Sequence, residues 1–241
     1  NVASPDNLMQ TYLDGKKPLP FSLELVSIGG EVRFYVNVPS KKTKPSFEAN
    51  LYAQYPGIEV VEEPVDYAAE IPLHTKDWEI FSLHMGKKKT QEYPIKTYID
   101  FGLDKLPKEE EKVDPMTPML EVLSSFGPSE RFYIQFIITP HREEKFSFGQ
   151  LRLGESGTWE KEAELLVDDL MKRDPKTKAP ITAGGTDFDG APRITTGERD
   201  TIEAIERNKS KYAYDTGIRW IYAAKPGHFV GDRISFCLLY T

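Results

Sequence analysis

Two lysine clusters carry the residue types best able to meet a ligand: Lys41, Lys42 and Lys44 follow one apolar stretch, and Lys87, Lys88 and Lys89 lie in a turn-like Gly86-Lys87-Lys88-Lys89-Thr90 run. Ammonium groups at this density bind phosphate oxygens, and with Tyr35 or Tyr93 as stacking platforms they would contact single-stranded DNA if the clusters were adjacent in space. A solvated, solubilising surface is the plainer reading. The second run is not a phosphate loop, because it lacks the preceding glycine at the required spacing. His74, His84, His141 and His228 stand singly, without metal-ligand spacing. Gly154-Glu155-Ser156-Gly157 falls short of the Gly-x-Ser-x-Gly nucleophile elbow. Asp187-Phe188-Asp189-Gly190 opens like a calcium loop but lacks the third acidic ligand and the closing Glu. Acidic neighbours such as Glu62-Glu63, Glu143-Glu144 and Asp168-Asp169 become catalytic only where burial splits their pKa values, and with 38 acidic residues such pairs arise by chance. The residues therefore read as non-catalytic, with no catalytic, cofactor-binding or metal-binding set.

The elements that must position these lysines follow from pattern. Phe21 to Ile28 and Glu31 to Val38 read as strands around Gly29-Gly30, a hairpin signal because glycine takes positive φ without a Cβ clash. In the second strand Val32, Phe34, Val36 and Val38 alternate with Arg33, Tyr35 and Asn37, which predicts one buried and one wetter face. Pro45 opens a helix with Phe47, Leu51 and Tyr55 along one side, ended by Pro56-Gly57. Ile58 to Glu63, Trp78 to Met85 and Pro94 to Phe101 read as further strands. A helix over Thr117 to Phe126 leads into Glu130 to Thr139, whose run Arg131 to Ile138 is the most apolar β-rich stretch and the best candidate for a central strand. Helices from Thr158 to Lys172 and from Thr196 to about Tyr212 flank a polar stretch, and Gly217 to Ala224 reads as a closing strand.

Composition bounds the class. With 39% hydrophobic and 29% charged residues the chain is globular, and its formal charge of −7 argues against phosphate binding over the whole surface. One cysteine, Cys237, forms neither an internal disulfide nor a multi-thiolate site and suits a reducing compartment. No window approaches about 18 consecutive apolar residues. The ordering of hairpins and helices predicts an α+β fold of two ferredoxin-like units with mainly antiparallel sheets and helices on one face. The expected division is a linker from a missing N-terminal region over 1–20, a first α+β unit over 21–104, and a second over 105–235 with a mobile loop at 174–196. Residues 236–241 are set apart, because Cys-Leu-Leu-Tyr-Thr is also an in-frame translation of a transposon sequencing adaptor; the other reading is a natural apolar terminal strand.

Several stretches together resemble one family. They are Phe21 to Ser27 with Glu31 to Val36, Glu48 to Pro56 ending in Val65-Asp66-Tyr67, Tyr93 to Asp104, Asp114 to Pro118 continuing to the Gln135 strand, and Glu203 to Arg207 followed by Gly217 to Tyr222. In that order they are similar to the uncharacterised domain of type IV secretion and conjugative DNA-transfer (TraD/TraG-like) proteins of candidate-phyla bacteria, over roughly residues 15 to 235. The resemblance implies a membrane-associated setting at the cytoplasmic face of the bacterial inner membrane, with membrane helices before the domain and an ATPase region after it. It implies other secretion-system subunits or that C-terminal ATPase region as partners, and it brings no catalytic residues and no cofactor. The function it implies is a non-catalytic accessory domain serving assembly or substrate docking. The rival expectation is a structural or interaction module of a phage-particle or envelope protein, which neighbouring capsid or tail genes would favour.

Overall fold

The computed structural model describes residues 19–39, 43–71, 76–105, 114–141, 145–147, 150–152, 159–179 and 194–239. Strand β1 (Phe21–Ile28) turns through Gly29 and Gly30 into β2 (Glu31–Asn37). Both glycines have positive φ, +61° and +90°, and Ile28 pairs directly with Glu31, so the turn has the two-residue form whose twist suits a hairpin. The remaining strands are β3 (Glu79–Met85), β4 (Glu130–Pro140), the short β5 (Lys145–Ser147) and β6 (Gln150–Arg152), and β7 (Tyr214–Ala224). Helices are α1 (Lys44–Gln54), α2 (Thr117–Ser124), α3 (Trp159–Leu170), α4 (Thr196–Lys209) and α5 (Gly231–Leu239), with one 3-10 turn at Tyr67–Glu70.

The class is mixed α+β. Five strands form one sheet in the order β2-β1-β4-β7-β3, and β5 pairs with β6. β1 lies antiparallel between β2 and β4, and β3 lies antiparallel to β7. Along β4 and β7, bonds from Thr139 Oγ1 to the Asp215 carbonyl and from Lys225 N to the Ser129 carbonyl run the same way as an antiparallel ladder. The apolar run in β4 is central, as its composition predicts.

The chain separates into two compact units that interleave in sequence. The first takes Asn1–Gly86, Glu110–Pro140 and Asp215–Thr241; the second takes Lys87–Glu109 and His141–Tyr214. Against the expected boundary at 104/105, the large sheet draws β1, β2 and β3 from before it and β4 and β7 from after it. Sheet pairing has overridden sequence proximity here, because β4 satisfies the whole inner edge of β1.

In the first unit one sheet face carries Leu25, Phe132, Ile134, Trp220, Tyr222 and Ala224, on which Leu123 of α2 and Phe126 just after it close and Ile234 packs from α5. Helices α2 and α5 therefore both lie on this face. Burial of such side chains contributes about 1.5–3 kcal/mol each relative to exposure. Glu130, buried at the start of β4, accepts from Gly127 N at 2.7 Å and from the Tyr222 hydroxyl at 2.6 Å, while Arg233 of α5 stands 3.5 Å away. That carboxylate ties the α2–β4 turn, β7 and α5 together. The second unit has its own small core of Ala163, Val167 and Ile205, with Trp159, Leu166, Leu170 and Ile202 around it. Helix α4 begins with a reciprocal cap in which Thr195 accepts from Glu198 N and the Glu198 carboxylate accepts from Thr195 N.

Four expectations are corrected. Residues 58–63 form no strand, since no strand pairs with them and Val61 and Ile58 face solvent. Residues 94–101 form no strand: 98–101 are turn, with the Asp100 carboxylate accepting from Thr97 N at 2.6 Å and from its hydroxyl at 3.0 Å in place of a ladder. The apolar C-terminal stretch is helix through Leu239 rather than strand. The Val32-Phe34-Val36 side of β2 alternates as predicted but is not a buried face: Val36 and Phe34 are exposed. Of the stretch expected to be a mobile loop, residues 180–193 lie outside the described residues, as do the calcium-like and elbow-like sequences, His74 and Thr158.

Candidate interaction surface

The lysine clusters divide between the two units. Lys41 and Lys42 lie outside the described residues. Lys44, at the start of α1, is paired with Glu62 and lies 3.8 Å from Glu48; the bond to Glu62 holds its ammonium above the ordinary lysine pKa. In the second unit the Lys87 ammonium donates to the carbonyl of Gln91 at 2.8 Å and to that of Tyr93. Burial pulls Lys87 below the usual lysine value. Lys89 lies over the Tyr93 ring, 4.4 Å from its centre. Lys88 is exposed. Two of the expected nucleic-acid lysines thus already serve local partners, and the Tyr93 ring, expected as a stacking platform for DNA, has Lys89 over it.

On the sheet face opposite the helices, the first unit buries a polar chain that crosses three strands. Glu24 of β1 stands directly opposite Gln135 of β4. Arg219 of β7 donates from Nε and Nη2 to Gln135 Oε1 at 2.8 and 2.6 Å, and Gln135 Nε2 donates to the Tyr67 hydroxyl at 2.8 Å. Tyr67 donates in turn to Glu24, which also accepts from the Ser22 hydroxyl. The 3-10 turn brings Tyr67 here because Asp66 caps it, accepting from Ala68 N at 2.9 Å, and because Glu70 forms a two-pronged pair with Arg131 at 2.9 and 3.0 Å. The ring of Tyr67 lies between Tyr35 and Tyr133, with centres 4.9 Å from each. Burial drives the Tyr67 hydroxyl far above the usual tyrosine pKa, and the neighbouring Glu24 carboxylate adds to the shift. Tyr133, only 3% exposed, has its hydroxyl pushed up to about 12 by burial, and that hydroxyl finds no hydrogen-bond partner among the described residues.

This arrangement immobilises charge rather than exposing it. The buried carboxylates Glu24, Glu130 and Asp168 each have their own partners, Tyr67, Tyr222 and Lys178, at separate places in the fold. Among the described residues no group of three His, Cys, Asp or Glu side chains is arranged to hold a metal ion. No described helix is long and apolar enough to cross a membrane.

What the first unit does expose is apolar. On the helix-bearing face, α2 and α5 cover the Leu25–Phe132–Tyr222 end and stop there. Beyond them Leu23 is 40% exposed, Phe34 67%, Val36 39% and Phe136 37%. Leu23 pairs directly with Val36 on one side and Phe136 on the other, and Phe34 pairs with Leu25, so these side chains form one continuous strip from the edge of the sheet inward. A shallow groove between β2 and α2, lined by Val32, Phe34, Thr117 and Leu120, runs beside it. Contiguous exposed hydrophobics of this kind mark contact surfaces, unlike scattered single ones. Alternation along β2 pointed to these residues, yet only as core.

No curated protein and no solved structure matches the chain. From residue 16 to residue 236 the sequence matches the model of the family described as Domain of unknown function (DUF8128), and the chain belongs to that family.

Proposed function

We propose that this chain is a non-catalytic accessory domain of a membrane-anchored type IV secretion or conjugative-transfer protein, held at the cytoplasmic face of the bacterial inner membrane, where it serves assembly or substrate docking. The observation that carries the docking role is the uncovered apolar strip of Leu23, Phe34, Val36 and Phe136 on an otherwise helix-covered sheet face. The secretion setting rests on the resemblance of the quoted sequence stretches. Protein contact is favoured over single-stranded DNA, because Lys44 and Lys87 would have to give up Glu62 and two backbone carbonyls before meeting phosphate.

The test is photo-crosslinking from Leu23 and Phe136 in cells carrying the complete locus of the full-length protein. Crosslinks to secretion subunits or to an attached ATPase region are the expected result. Crosslinks confined to capsid, tail or envelope proteins would replace this reading with a phage-particle or envelope module, and no crosslink at either position would remove the docking role. The complete reading frame gives an independent check: a membrane helix before the domain and a phosphate-binding loop after it are expected, and finding neither counts against the assignment.

A further inference from the structure

We propose that the outer edge of β2, which pairs with no described strand, pairs with β2 of a second copy of this chain, joining two five-stranded sheets into one antiparallel sheet about a two-fold axis at Phe34. This rests on the docking reading and names its partner.

The hydrogen-bond phase comes from the hairpin. β2 is the terminal strand of the sheet, and its turn is the two-residue Gly29-Gly30 type with Ile28 opposite Glu31. In such a hairpin the closing pair exchanges both ladder bonds, and bonded pairs then alternate along the strands. Glu31, Arg33, Tyr35 and Asn37 therefore direct their N–H and C=O groups at β1. Val32, Phe34 and Val36 direct theirs outward, and these three also carry the apolar side chains of the strand.

A two-fold axis at Phe34 sets Phe34 against the second copy's Phe34 and Val32 against the second copy's Val36. All of these are outward-bonding residues, so the register yields roughly six ladder bonds. An axis at Arg33 or Tyr35 would bond only Val32 with Phe34 or Phe34 with Val36 within the strand, roughly four ladder bonds in place of six, and the Arg33 axis would also oppose two guanidinium groups. The Phe34 register is compatible in charge as well: Glu31 meets Asn37, and Arg33 meets Tyr35, with no like charges opposed.

Among the described residues this edge lacks several of the usual devices that prevent such pairing. β2 contains no proline and no lysine, its pairing with β1 runs without a bulge from Glu31 to Asn37, and the ion pair of Arg33 with Glu31 lies along the strand itself. Phe34 is two-thirds exposed at the strand centre, where a protected edge would carry charge. The groove between β2 and α2 lies beside Val32 and leaves space for the second copy's Val36.

The test uses the 241-residue chain with Cys237→Ser, so that each introduced cysteine is the sole thiol. Sedimentation should show a dimer below about 100 μM protein, a modest affinity for an interface of this size. Phe34→Cys should form a disulfide-linked dimer under mild oxidation, since directly opposed bonded residues have Cα atoms about 5.5 Å apart, within disulfide range. Val32→Cys, opposite Val36 instead of itself, should link at least about tenfold more slowly. Phe34→Asp should be monomeric with an unchanged circular dichroism spectrum and an unfolding midpoint close to that of the parent. A parent chain that stays monomeric at that concentration overturns the proposal, as does a dimer in which Phe34→Cys and Val32→Cys link equally. A monomer that still crosslinks to secretion subunits in cells removes the self-pairing alone. A Phe34-centred dimer without such crosslinks removes the secretion assignment alone.

Discussion

Tyr67 and Tyr133 touch ring to ring yet should respond in opposite ways to the loss of one oxygen. The Tyr67 hydroxyl accepts from Gln135 and donates to Glu24, so Tyr67→Phe leaves a buried carboxylate and a buried amide each short of a partner. That change should cost about 1–3 kcal/mol in urea unfolding. Tyr133 buries a hydroxyl that satisfies no described neighbour, so Tyr133→Phe should be neutral or stabilising by up to about 1 kcal/mol. Equal losses in the two variants would show that the polar chain through Tyr67 is not formed. The same residues set the alkaline limit of the fold. Tyr133 and Tyr222 titrate at about 12 in the folded state because burial disfavours phenolate, against about 10 unfolded. A folded pKa raised above the unfolded one stabilises fully below pH 10 and ceases to do so as pH climbs through 12. Unfolding free energy should therefore fall between about pH 10 and 12, and Tyr133→Phe should flatten that fall relative to the parent. These groups were not legible as a set in the sequence, because Tyr67 lies 43 positions from Glu24 and 68 from Gln135. The lysines were legible as residues, but their partners were supplied by the fold.

At the scale of elements, the Gly29-Gly30 hairpin does more than reverse the chain. Gly30 has φ +90°, and a Cβ there would stand 2.6 Å from the Ser124 carbonyl oxygen and 2.7 Å from that of Phe126. Both atoms are backbone at the end of α2, so nothing flexible can yield. Gly30→Ala should destabilise by roughly 2–4 kcal/mol, combining the positive-φ penalty with displacement of α2 from β2. A loss under about 0.5 kcal/mol in denaturant unfolding would mean that the hairpin tip does not press on the helix. This close approach is also why alternation misled about β2. A period of two tells which side chains share a face, and it did so for Val32, Phe34 and Val36; it says nothing about where a covering helix stops. Helix α2 reaches Val32 and leaves Phe34 and Val36 bare. The strands read correctly, β1, β2, β3, β4 and β7, all found partners in one sheet, whereas 58–63 and 94–101 have strand-like composition and no pairing partner. Short apolar runs such as that of α5 suit helix and strand alike, and there the surrounding packing of Ile234 and Arg233 decided.

For the whole molecule, the decisive feature is that β1 is an interior strand. Its residues pair with β2 on one side, from Ser22 to Ile28, and with β4 on the other, from Phe21 to Ile28. β4 arrives more than 90 residues after β1 in the chain, and β7 later still. The apolar layer beneath α2 and α5 takes Leu25 from the first third of the chain, Phe132 and Ile134 from the middle, and Trp220 and Tyr222 from near the end. No sequential half closes the core of the first unit. A fragment covering residues 1–104 would keep the hairpin, α1 and β3 but lose β4, β7, α2 and α5 together, leaving Leu25 without the layer that covers it and β3 without its strand neighbour among the described residues. An isolated hairpin is marginal in water at best. The fragment should therefore show a collapsed amide proton spectrum and no cooperative unfolding transition, while the intact chain shows dispersed resonances and a clear one. A well-dispersed spectrum for residues 1–104 alone would mean that the first part of the chain closes on itself, and the pairing of β1 with β4 would then have to be abandoned along with the uncovered strip and the strand edge built upon it.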